Sequence, residues 1–230
     1  LCLFLRYGTE KYPDSLKTLE NWYNEKLSNT DISIWIVDNK LEEESGIVYE
    51  HNRRLIPGDN AHWEFSGWQK AINNYAEEIK EYDVVHFVTD AFNSLYTGYL
   101  DDFKEKQLEF VSVNPVCLGH IDHYADPIQV LKNESQCWIR TCFFFVSTAT
   151  IFKMPNFVSV KEESSFLGEQ GFKPDAPLSD NYKSYITDWL YGKQLQGVKW
   201  HSVIENILHF QKKALAILNE LMLSITLKKQ

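Results

Sequence analysis

Four apolar runs in this chain end on residues that can hold an ion or a polar ring. Leu1 to Leu5 stops at Arg6-Tyr7-Gly8, Ile32 to Val37 stops at Asp38-Asn39, and Tyr82 to Val88 stops at Thr89-Asp90. A shorter run, around Ile47 to Tyr49 or Arg54 to Ile56, leads into Pro57-Gly58-Asp59-Asn60. A carboxylate at such a tip can anchor a hard divalent cation, Mn²⁺ or Mg²⁺, against a diphosphate. An aromatic ring such as Tyr7 can carry a stacked base, and Asp38 can accept that base's N–H groups. Asp and Asn also end strands simply because they form turns. Four tips of one kind in a single chain weigh toward a site.

The elements that must position these tips follow from periodicity. β-branched and aromatic residues dominate the runs, which read as buried strands. Between them, Asp14-Ser15 opens a helix to about Leu27 with Leu16, Leu19, Trp22 and Tyr23 on one face, and Phe65 to Lys80 carries Trp68, Ala71, Ile72, Tyr75, Ala76 and Ile79 at helical spacing. A further helix is expected after Asp90. Strands alternating with helices of ten or more residues make βα units and a mainly parallel, Rossmann-type α/β sheet, whose C-terminal edge is where ligands bind. The reading is one domain over 1–230, with a nucleotide-binding half at 1–92. Neither GxGxxG nor GxxxxGK[ST] occurs, so dinucleotide and P-loop phosphate binding both lack their glycines.

Composition sets the partners. A net charge of −9 argues against a nucleic-acid backbone as the main partner. No apolar run reaches the roughly 18 residues of a membrane span. Cys2, Cys117, Cys137 and Cys142 form no CxxC pair and lie in strand-like runs, which favours reduced thiols and a cytoplasmic setting.

VDN (Val37 to Asn39), GDN (Gly58 to Asn60) followed by EFSGWQKAI (Glu64 to Ile72), and VVHFVTDAF (Val84 to Phe92) together resemble the nucleotide-sugar half of a GT-A glycosyltransferase. More narrowly, they are similar to rhamnosyltransferase-like enzymes of bacterial polysaccharide synthesis and of large algal viruses. The resemblance covers roughly residues 1 to 150. It implies a single GT-A-like domain that moves a sugar from a UDP- or dTDP-sugar donor to a glycan acceptor with Mn²⁺ or Mg²⁺. It makes Asp38 the acid that contacts the base, puts Asp59, Asn60 and Glu64 in the donor-side loop, and makes Asp90 the metal-side acid. Thr89-Asp90-Ala91 offers one carboxylate where the family's DxD has two, so a non-catalytic nucleotide-sugar or carbohydrate-binding module on the same fold is the rival reading. Ser66 is expected to begin the helix that faces the donor.

Residues 93–230 read as the acceptor side. Leu108 to Val113 and Trp138 to Val146 are expected strands, the latter giving Trp138 and Arg140 acceptor roles by resemblance and ending in a short helix at Ala149 to Lys153. His120, Asp122 and His123 in GHIDH read as a loop bordering the acceptor groove. The resemblance also implies a late metal-binding His, and His201 is its candidate, completing a shell that Asp90 alone leaves short. Inverting transfer needs a carboxylate base, and Asp188 is the choice over Asp180 and Glu162-Glu163. A helix from Ser202 to about Thr226 is amphipathic, which fits packing on its own domain, peripheral membrane contact or a dimer face.

Overall fold

The computed structural model describes residues 1–42, 48–50, 53–94, 97–192, 204 and 206–229. They form two compact units. One comprises Leu1–Ile121, Ile139–Phe157 and Thr226–Gln230, and the other Asp122–Trp138 and Val158–Ile225. The units interleave along the chain, whereas the sequence reading divides it after residue 92.

The first unit is built on β1 (Cys2–Arg6), β2 (Ile34–Asp38), β3 (Val48–Glu50), β4 (Arg53–Pro57) and β5 (Val84–Thr89), with α1 (Ser15–Lys26), α2 (Trp63–Asn74) and the single turn α3 (Ala76–Ile79) between them. α4 (Glu105–Val113), β6 (Cys117–Val130), β7 (Asn133–Ser147) and α5 (Thr148–Ile151) follow. The sheet order is β3-β4-β2-β1-β5-β7-β6. β4, β2, β1 and β5 are parallel, while β3 pairs antiparallel with β4 and β7 antiparallel with β5. This is the α/β sheet with a parallel centre that the alternating pattern implies.

Strand alternation divides the core into two faces. Cys2 and Phe4 pack with Leu19, Trp22 and Tyr23 of α1, together with Ile36, Val88 and Phe143. On the other face the Trp68 indole of α2 donates to the Leu3 carbonyl (3.2 Å) and meets Phe87 and Phe144 edge-on at centroid distances of 5.3 and 6.0 Å. His86 of β5 belongs to the core. Its Nδ1 meets the Tyr23 hydroxyl at 2.5 Å, Phe145 stacks on its ring at 3.9 Å, and burial holds its pKa well below the usual histidine value.

Three expectations change. Both alternatives for the third strand exist, as the antiparallel pair β3 and β4, and β4 is the one that joins the parallel set. The expected strand at Leu108 to Val113 is α4: Glu105, Lys106 and Gln107 are good helix formers, Gln107 Oε1 caps the Lys104 N–H (2.6 Å), and Phe110 and Val113 face solvent. The expected Phe65–Lys80 helix starts two residues early at Trp63 and breaks at Tyr75, after Asn73 and Asn74, both weak helix formers.

In the second unit, α6 (Asp180–Tyr191) ends at Gly192 in the left-handed conformation (φ 69°). α7 (Ile207–Leu227) buries Phe210, Ala214, Leu215, Leu218, Leu221 and Ile225 in a core with Tyr124, Ile128, Tyr182 and Leu190, so its apolar face is occupied by packing. Asn219, fully buried on that face, accepts from the Ser159 and Val160 amides (2.9 and 2.8 Å) and donates to the Val160 carbonyl (3.0 Å), satisfying a chain segment that has no strand partner. Among the described residues no helix is long and apolar enough to cross a membrane. All four cysteines are free thiols.

Trp68 is 0% exposed. Trp68→Ala should cost about 3–5 kcal/mol as a large core deletion. Urea unfolding checks this, and a midpoint within error of wild type would contradict the packing described.

Candidate functional site at the strand tips

Sheet order selects one crevice. From β1 the chain moves through α1 to β2 and β4 on one side, then through α2 and α3 to β5 on the other. The order therefore reverses at β1, and the gap between the carboxyl ends of β1 and β5 is the topological switch point at which open α/β sheets bind ligands. Arg6 and Tyr7 stand on one side of it and Asp90 on the other.

The base of the site is a buried ion pair. Arg6 Nε donates to Asp38 Oδ2 at 2.7 Å across the parallel β1–β2 register, with both side chains under 10% exposed. Asp38 Oδ1 accepts from the Gly8 amide (3.0 Å) and the Lys40 amide (2.9 Å), so this carboxylate shapes both tip loops. Gly8 takes φ 68°, which an L side chain rarely adopts. Asp38 is thus a loop organiser, and its expected contact with a base would compete with three bonds already made.

Asn39 carries the next link. Its Oδ1 accepts the Asp59 amide (3.1 Å), and its Nδ2 donates to the Trp63 carbonyl (3.0 Å). A Cβ at Gly58 or at Gly67 would lie 2.0 or 2.4 Å from Asn39 Oδ1, so both glycines make room for this amide. Ser66 Oγ donates to the Asp59 carbonyl (2.7 Å) and accepts from the His62 amide (2.8 Å). Ser66 therefore ties the loop to the helix, and Trp63 (φ 55°) opens α2 in its place. Asp59 is exposed, its Oδ1 accepting the Ala61 amide (2.8 Å). Asn60 is exposed as well, and Glu64 is half-buried in the first turn of α2. All lie on the C-terminal edge, beyond the tip of β4, two strands from the crevice.

Asp90 differs in kind. Its amide donates to the Leu5 carbonyl (2.9 Å), and its carboxylate accepts from the Tyr7 N–H. Burial pushes its pKa from the ordinary 3.8 up to about 6, the Tyr7 bond, Lys11 and Arg6 pulling down against the neighbouring Asp38. Tyr7 is 56% exposed, a ring available for stacking. Lys40 pairs with Glu10 beside Gly8.

The other candidates lie on other elements. Asp188 lies on α6 in the second unit, where it accepts from Ser184 Oγ (3.3 Å) and lines a shallow groove of about 300 Å³ with Phe172, Lys173, Pro174 and Lys183. Trp138 packs against Tyr124 (4.4 Å) in the same unit. GHIDH is part of β6 and not a loop, and residues three apart on a strand face opposite ways, which separates His120 from His123. His201 lies outside the described residues. Among the described residues no three His, Cys, Asp or Glu side chains converge on a point that could hold a metal. A cation at this edge would rest on Asp90, with phosphate oxygens and water filling its shell.

Two contributors have little or no sequence signature. Lys11 faces Asp90 from an irregular loop. The role of Asn39 is encoded only through glycines 19 and 28 residues away. Comparison with protein-family models, with curated proteins and with solved structures returns no match.

The raised pKa fixes a pH dependence. The folded carboxyl holds its proton to about pH 6 and the unfolded one only to about 4. Folding therefore takes up a proton between these values, and stability falls as pH rises through that window, the whole loss being present above it. Asp90→Asn should match wild type near pH 4 and exceed it in melting temperature at pH 7 to 8. Thermal melts across this range that run parallel for the two proteins would refute the burial of this carboxylate.

Proposed function

We propose that the chain binds a UDP- or dTDP-sugar at the β1–β5 crevice and transfers its sugar to a glycan acceptor, as a glycosyltransferase of GT-A type. One observation carries this: an exposed aromatic ring and a half-buried carboxylate flank the switch point of a parallel sheet, with a buried ion pair fixing the loops between them. In this reading Tyr7 stacks on the base, and Asp59, Asn60 and Glu64, beyond the β4 tip, are donor-side residues. Asp90, ionised above about pH 6, is the protein's ligand for Mn²⁺ or Mg²⁺. The ion, when bound, offsets charge on the leaving diphosphate. An acceptor hydroxyl attacks the anomeric carbon as its bond to the diphosphate oxygen breaks. Asp188 is the proposed base for the hydroxyl proton, and His201 the proposed second protein ligand for manganese.

A second reading has its own observation. Asp38 is engaged by three donors, so of the two tip acids Asp38 and Asp90 it is Asp90 that is left to meet a ligand. A module that binds nucleotide sugar without transferring it fits that single acid.

The test is release of nucleoside diphosphate from a panel of UDP- and dTDP-sugars with Mn²⁺, beside calorimetric UDP binding. The enzyme reading predicts slow release from at least one sugar, abolished by EDTA and lowered at least about tenfold in Asp90→Asn. Binding without release selects the module. Absence of both defeats the two readings together.

A further inference from the structure

We infer that the groove beside Asp188 in the second unit binds one neutral pyranose ring of a saccharide. Its place as the acceptor site rests on the glycosyltransferase reading, whereas the binding itself rests on the groove alone.

Two elements build the groove. A short hairpin of β8 (Leu167–Gly168) and β9 (Gly171–Phe172), with Lys173 and Pro174 after it, gives one wall, and α6 gives the other. Gln211 of α7 donates to the Gly168 carbonyl (2.8 Å), and the Phe172 ring packs on Phe210 and Tyr182 at centroid distances of 5.6 and 6.2 Å. The hairpin is thus anchored to the core of its own unit. Lys183 Nζ ties the two walls together, donating to the Pro174 carbonyl (3.1 Å) and to Asp180 (2.7 Å). A volume of about 300 Å³ lies at the lower end of small-molecule sites, which suits a single sugar ring.

The hydrogen-bonding capacity left open in the groove is mixed. Lys173 Nζ donates one of its three protons to the Ser164 carbonyl (2.5 Å), and Asp188 accepts from Ser184 Oγ (3.3 Å) through one oxygen only. Lys173 and Asp188 line the same groove, yet among the described residues they form no ion pair with each other. An ammonium and a carboxylate held apart in this way match a hydroxyl, which accepts from the first and donates to the second. The Gln170 amide, exposed at the hairpin turn, makes no hydrogen bond among the described residues and offers a further donor and acceptor.

Charge and surface select the class of ligand. Lys183 is paired with Asp180, and Lys173 and Asp188 balance, so the lining favours a neutral polyol over an anion. The Phe172 and Pro174 rings supply the apolar surface that the C–H face of a pyranose covers.

Saturation-transfer NMR with the methyl pyranosides of glucose, galactose, mannose and rhamnose, and with methyl glucuronide as the charged contrast, tests this without any nucleotide. At least one neutral glycoside should bind wild type with Kd on the order of 1 mM, the scale for a ligand of this size. Lys173→Met and Asp188→Asn should each weaken it about tenfold or more, as for hydrogen bonds to charged groups. Gln170→Ala, at an exposed turn where folding is not at stake, should weaken it by a smaller factor and carries the comparison if the other variants do not fold. Binding unchanged in every folded variant, a preference for the glucuronide, or no transfer to any neutral glycoside would overturn the inference. UDP added to wild type separates the two readings: UDP binding without glycoside binding leaves the donor site standing, and glycoside binding without UDP binding upholds the groove and defeats the donor site.

Discussion

The buried pair between Arg6 and Asp38 is the constraint on which the candidate site depends. Removing two charges from water is costly, and the cost is recovered only where geometry and further hydrogen bonds are complete. Here they are: the guanidinium meets one carboxylate oxygen, and two loop amides meet the other. The pair locks the β1 and β2 tips in register and turns both loops over the sheet edge. From Asp38 the constraint passes to its neighbour Asn39, which holds the loop after β4 and the opening of α2. The geometry at the crevice is therefore set before any ligand arrives.

This arrangement divides two acids that the sequence presents as equivalents. Asp38 accepts from three donors and shapes both tip loops. Asp90 is shielded from water, has its pKa raised and accepts a backbone N–H from Tyr7. A carboxylate held this way destabilises the fold when ionised and favours a cation that approaches it. Stability given up at one carboxylate of a sheet edge is the pattern expected of a binding group.

Much of the frame was legible because buried strands and amphipathic helices leave strong periodic signals. The parallel centre, the two covering helices and the order of the tips follow from runs such as VVHFV and from the spacing of Leu19, Trp22 and Tyr23. The failures share a cause. Leu108 to Val113 is apolar enough for a strand, yet Phe110 and Val113 point to solvent, and the cap at Gln107 decided for helix. GHIDH reads as a loop by composition, yet it lies in the long β6 because β7 offers it a partner, a non-local fact. Ser66 reads as the start of the helix, whereas its hydroxyl holds the loop and the helix opens at Trp63.

Amide hydrogen–deuterium exchange with and without UDP and Mn²⁺ tests the central claim most directly, because it maps the ligand onto the sheet edge without relying on turnover. The account predicts added protection confined to the tips: residues 7 to 9 after β1, 39 and 40 after β2, and 90 to 92 after β5, with the β1–β5 pair affected most. Binding that leaves these tips unchanged while protecting another surface of the chain would contradict it.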